Sequence, residues 1–146
     1  MILSKFSPLL AGLALSTALM MSPALAEMAK FSATLEGGQE VPPVTTEAKG
    51  TADITFDTET KQLEWTLEYS GLSGEATGAH FHGPAAEGEN ADVAVPIPDT
   101  PSGSKGSATL TDAQAADLMA GKYYVNVHTA QHGDGEIRGQ VKKAGM

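Results

Sequence analysis

Leu63-Glu64-Trp65-Thr66-Leu67-Glu68-Tyr69 places an apolar side chain at every second position and a polar one between. Successive strand residues point to opposite faces of a sheet, so this period reads as a half-buried β-strand and not as a helix. Working outward, Ala52, Ile54 and Phe56 alternate with Thr51, Asp53 and Thr55 in the same way. Residues 57–61 are polar and join the two runs, which predicts a hairpin. Phe31, Ala33 and Leu35 repeat the pattern. Further strands are expected at 79–82, 93–97, 107–110, 123–128 and 136–141, with Pro96 confining its strand to a sheet edge or a bulge. One segment breaks the period. Thr111-Asp112 opens a run of helix formers ending at Ala120, with Gly121 placed as the C-terminal stop. About eight short strands joined by Gly- and Pro-rich loops predict an all-β fold, an antiparallel Greek-key β-sandwich or barrel with one short helix.

The first residues follow different rules. Lys5 precedes an apolar run from Leu9 to Met21, and Ala24-Leu25-Ala26 offers a small-x-small cleavage site. A permanent membrane helix needs about 20 apolar residues, more than this run supplies. Residues 1–26 are therefore expected to be a signal peptide, leaving a single domain at 27–146 in the periplasm or outside the cell. No membrane association is expected after cleavage.

The composition closes off several chemistries. The 146 residues carry 18 Asp plus Glu against 9 Lys plus Arg, a net charge of −9. Such a surface repels phosphate backbones, so nucleic acid is not an expected partner. The chain has no Cys. Disulfide scaffolds, thiolate zinc sites, iron–sulfur clusters and cysteine catalysis are excluded together. No Gly-x-Ser-x-Gly elbow occurs, and Ala116 stands where a P-loop ending at Gly121-Lys122 needs glycine.

All four His fall in two short segments, His80-Phe81-His82 and His128-Thr129-Ala130-Gln131-His132. Residues i and i+2 of a strand share a face roughly 6.6 Å apart. Phe81, Val125 and Val127 are the apolar members of their strands, so His80, His82 and His128 point away from the core. Asn126 and Tyr124 share that face. His132 lies in a glycine-containing loop able to fold back. A three- or four-His metal site on the outer sheet face is the expectation, with hydrogen-bonding or solvated imidazoles as the alternative. Imidazole ligation without thiolates suits copper, or else zinc. Asp134 and Glu136 are read as solvated loop charges, with orientation of an imidazole as the alternative. Arg138 is expected to alternate outward with Glu136 and Gln140 and to form a cross-strand ion pair, or to steer an anion towards the His cluster. Glu40, before Pro42-Pro43, is expected to make a structural contact.

Four motifs in order carry a family resemblance. Residues 35–44 (Leu-Glu-Gly-Gly-Gln-Glu-Val-Pro-Pro-Val) resemble the opening motif of the chordin-type (CHRD) domain. Ala79-His80-Phe81-His82-Gly83-Pro84-Ala85 is similar to its central motif, which usually has Ile where Phe81 stands. Residues 121–129 and 135–141 are similar to its closing motifs, so the likeness spans residues 31–141. The resemblance implies a compact all-β domain, common in exported bacterial proteins and repeated in animal chordins. Family members often carry Asn-Pro where this chain has His132-Gly133, so the fourth His strengthens the metal expectation here. The Greek-key barrel with a His-x-His strand is also similar in architecture to copper–zinc superoxide dismutase. This chain lacks that enzyme's His- and Asp-rich zinc loop and its disulfide. A copper-binding protein for buffering, delivery or redox chemistry is the first functional expectation. A metal-free extracytoplasmic interaction module, with a protein partner, is the second, and a dismutase-like oxidoreductase the third. Enzymatic activity, oligomeric state and physiological partner are left open by the sequence.

Overall fold

A computed structural model describes Ser22 and residues 25–145. The expected leader, 1–26, lies outside the described residues except for Ser22, Leu25 and Ala26. Among the described residues no helix is long and apolar enough to cross a membrane.

Among the described residues there are nine strands: β1 (Met28–Glu36), β2 (Lys49–Asp57), β3 (Gln62–Ser70), β4 (Ala76–His82), β5 (Val93–Ile97), β6 (Ser104–Thr109), β7 (Tyr124–Thr129), β8 (Ile137–Gln140) and β9 (Lys142–Lys143). They form one antiparallel sheet in the order β5-β4-β7-β8-β1-β2-β3-β6, with β9 beside β1. The sheet curls into a nearly closed barrel. Four consecutive pairs, β3 and β4, β5 and β6, β6 and β7, and β8 and β9, are not sheet neighbours, so their connections join strands set apart in the sheet. Pro96 sits on β5, which pairs with β4 alone, so it lies on a sheet edge as expected. The hairpin between β2 and β3 closes where Asp57 Oδ1 accepts from the Glu59 and Thr60 amides at 2.8 and 3.0 Å.

Inward positions of the period-two runs meet in one core. Phe31 and Leu35, Ile54 and Phe56, Leu63, Trp65 and Leu67, and Phe81, Val125 and Val127 are all buried in it. Trp65 and Phe81 pack edge to face at 5.2 Å. The helix α1 (Asp112–Met119) adds the buried Leu118. Thr111 caps it through a reciprocal pair with Gln114: the Thr111 hydroxyl accepts from the Gln114 amide, and Gln114 Oε1 from the Thr111 amide.

The other face of the sheet is uneven. On β3, Glu64 and Glu68 are exposed. On β7 and β8 the corresponding side chains Tyr124, Asn126, Arg138 and Gln140 are buried. Loops 37–48 and 83–92 lie over them. Asn90 Nδ2 ties the two loops by donating to Val41 O at 3.0 Å, and Gln140 Nε2 donates to Ala85 O at 3.1 Å. The histidine-bearing, non-core face is thus a partly covered polar layer, with His82 buried and His80 and His128 half-buried.

Candidate metal centre

β4 pairs with β7 in a register that sets Gly78 opposite His128, His80 opposite Asn126 and His82 opposite Tyr124. His80 and His82 therefore share a face with Asn126 and His128 on the neighbouring strand. One ring nitrogen from each of His80, His82 and His128 lies within 4.8 Å of the others. His80 Nδ1 and His128 Nε2 approach to 3.0 Å. His132 stands outside this group. Its backbone closes the 129–135 turn, with its carbonyl accepting from Thr129 N and Gly135 N.

Each ring is held. His128 Nδ1 donates to Gly133 O at 2.9 Å, which leaves Nε2 facing the cluster. His82 Nδ1 donates to Ala91 O at 3.0 Å, and its Nε2 is 2.9 Å from Asn126 Oδ1. Its ring stacks on Tyr124 with 4.8 Å between centroids and 3° between planes. The Arg138 guanidinium carbon lies 3.5 Å from the same Tyr124 centroid. Burial holds the His82 imidazole below its usual pKa, against the pull of its bonds to Ala91 and Asn126. Burial does the same to His80, reinforced by repulsion from His128 and His82. Neutral imidazoles carry the lone pairs that a metal ion needs.

The surrounding polar groups differ from the expectations. Arg138 is 2 % exposed and forms no ion pair among the described residues. Its guanidinium donates to Asn90 Oδ1 at 2.8 Å and to Glu89 O. The expected cross-strand pair fails because the covering loop supplies neutral acceptors in the place of an opposing carboxylate. Glu136 is not a solvated loop charge: it is fully buried and accepts from Thr46 Oγ1, Thr129 Oγ1, Ser73 Oγ and Ser73 N at 2.7–3.0 Å. Burial would raise its pKa, but those bonds outweigh it and hold the carboxyl below its ordinary value. Its partners are hydroxyls and an amide, and none of them is a His. Asp134 is exposed, and its backbone carbonyl accepts from Asn126 Nδ2 at 3.3 Å.

Glu40 and Asn126 carry more than the sequence suggested. Asn126 is 3 % exposed and sits across the register from His80. The alternation that placed His128 outward also placed Asn126 beside it, so the signal existed in the sequence. Glu40 is 6 % exposed, and its Oε1 has no hydrogen-bond partner. Burial pushes its carboxyl up to about 7, against the lowering effect of Arg138 and Asn126. No spacing rule joins Glu40 to a residue 86 positions later; only the folded loop does.

Together these features define an antiparallel β-barrel domain with a buried, histidine-containing polar layer on one side. Its sequence matches the family model of the CHRD domain over residues 31–141, and the chain belongs to the CHRD domain family, a domain of extracellular type. No curated protein and no solved structure shows a significant match.

Proposed function

We propose that this is an exported metal-binding domain that holds copper as Cu(II) through His80, His82 and His128, for buffering, delivery or redox chemistry. The carrying observation is the 3.0 Å approach of His80 Nδ1 to His128 Nε2. Two nitrogens at right angles on one ion, each about 2.0–2.1 Å from it, lie about 2.9 Å apart. The widest separation two such ligands can span is about 4.2 Å. The 4.8 Å limit of the cluster therefore closes with a small side-chain rotation. Copper is favoured over zinc because it binds nitrogen sites more tightly and no thiolate is present to select zinc. The net charge of −9 attracts a cation, and the expected leader at 1–26 supports periplasmic or secreted placement.

Titration of the metal-free protein with Cu(II), followed by electron paramagnetic resonance, tests this. One equivalent bound at micromolar affinity or better is expected, and a His80→Ala/His128→Ala variant should lose it. Unchanged binding in that variant would refute the proposal.

A second reading has its own observation. His82 and His128 already have protein partners at both ring nitrogens, as a structural polar layer would. On that reading the domain is a metal-free extracytoplasmic interaction module, and its melting temperature is the same with copper or with chelator.

A further inference from the structure

We propose that the side-chain oxygen of Asn126 is a fourth ligand of the cation site, and that Glu40 orients it. This inference rests on the metal-binding reading above. It assigns to an amide the position that His132 was expected to fill.

The sheet supplies the geometry. His80 and His82 on β4 and Asn126 and His128 on β7 occupy four adjacent positions on one face. Two close pairs of potential donor atoms result. His80 Nδ1 and His128 Nε2 are 3.0 Å apart, and His82 Nε2 and Asn126 Oδ1 are 2.9 Å apart. Both distances match the roughly 2.9 Å expected between adjacent ligands on one ion of this size. A three-nitrogen, one-oxygen set suits a borderline divalent cation such as Cu(II) or Zn(II).

The hydrogen-bond inventory points the same way. His82 Nδ1 faces the Ala91 carbonyl and Nε2 faces the Asn126 side-chain oxygen, and neither oxygen can donate. A neutral imidazole has one N–H. It can therefore satisfy only one of the two, and the other contact sets one lone pair against another. Rotating the amide by 180° would relieve this only by breaking other contacts. Asn126 Nδ2 faces the Asp134 carbonyl, and it converges with the Glu40 carboxyl on the bare α-carbon of Gly135. A Cβ at Gly135 would collide with Glu40 Oε1 and lie 2.7 Å from Asn126 Nδ2. With acceptors on that side, the NH2 group stays there and the oxygen stays with His82. A cation between Nε2 and Oδ1 completes the arrangement. Glu40 touches no ion in this scheme; it is a positioning residue acting through Asn126.

The test uses the purified protein, Cu(II) alone in a weakly coordinating buffer, and the near-isosteric variants Asn126→Asp and Asn126→Leu. Replacing the amide oxygen by a carboxylate oxygen should tighten Cu(II) binding by about tenfold or more. Removing the oxygen should weaken it by about tenfold, the lower end of effects seen at residues around metal sites. The parallel g value and copper hyperfine splitting should move in opposite senses in the two variants. A residue with a merely structural role would leave those parameters where they are. If both variants bind within about twofold of wild type with unchanged spectra, the Asn126 assignment is wrong while the histidine site stands. If the leucine variant does not fold, the aspartate variant decides alone. If the wild type binds no Cu(II), the metal reading falls and this inference with it.

Discussion

The buried Glu40 carboxyl makes a prediction with a definite sign. Glu40 is 6 % exposed, and burial raises its pKa from 4.5 to about 7. The folded state therefore binds a proton that the unfolded state gives up near 4.5. Stability from this group is fully present below that value and is lost as pH rises through about 7. Each tenfold change in proton affinity is worth about 1.36 kcal/mol, so the loss above neutrality approaches about 3 kcal/mol. Glu40→Gln removes the titration and keeps the shape. Wild type and variant should be equally stable at pH 4.5, and the variant should pull ahead steadily between pH 4.5 and 7. At pH 8 its advantage should approach about 3 kcal/mol, or about 10 °C in melting temperature for a domain of this size. The assay is urea unfolding of metal-free protein, with chelator present, at half-unit steps from pH 4.5 to 8. Comparing the two proteins matters because His80 and His82, with lowered pKa values, impose the opposite slope as pH falls below about 6.5. Those groups are common to both proteins and cancel in the difference. Parallel stability curves across the window would refute the burial argument and show Glu40 ionised within the fold.

Two further perturbations probe the groups beside it. Glu136→Gln keeps the volume but faces the Ser73 amide with a group that can only half satisfy the four donors around it. Hydrogen bonds to a buried charge are worth about 1.5–3 kcal/mol each, so a loss of about 2–4 kcal/mol at pH 7 is expected. Because the Glu136 pKa is lowered, that difference should shrink as pH falls below about 4.3, and urea unfolding at pH 3 and pH 7 checks it. Gly135→Ala adds a Cβ against Glu40 and Asn126 at a backbone φ of 127°, a conformation that side chains rarely adopt. It should destabilise the fold by about 2 kcal/mol or more and weaken Cu(II) binding, as read by thermal unfolding and by titration.

Much of the barrel was legible because its signals are local. The alternation at 63–69 and 52–56 depends only on which side chains face the core, and both runs appear as β3 and β2 in the expected hairpin. Thr111 and Gly121 bound the helix with chemistry contained within a few residues, and Gly121 takes the positive φ of 74° that such a stop uses. Elements without a side-chain signal were hidden. β6 begins at Ser104, earlier than expected, because Ser104, Lys105 and Gly106 pair with β3 through the backbone and show no apolar alternation. β9 is two exposed lysines beside Phe31 and Ser32, visible only once β1 is in place.

The site was legible in part, and the limit has one physical origin. Alternation separates core-facing positions from the rest, but it does not say whether the rest meet water or a covering loop. The two outcomes coexist here. The non-core face of β3 carries Glu64, Thr66 and Glu68, and both glutamates are solvated. The non-core face of β7 carries Tyr124 and Asn126, which are buried, and His128, which is half-buried; none bears a fixed charge, and such groups tolerate burial once hydrogen-bonded. Arg138 on β8 is the exception, and it needs the Tyr124 ring and two loop oxygens to be accommodated. Covering changes the chemistry as well as the exposure. Away from water the imidazoles favour their neutral form, and an amide whose NH2 donates to the Asp134 carbonyl keeps its oxygen beside His82. The 37–48 and 83–92 loops, which carry no histidine in the first case and only flank one in the second, thus shape the surroundings of the histidine cluster as much as the strands that bear it.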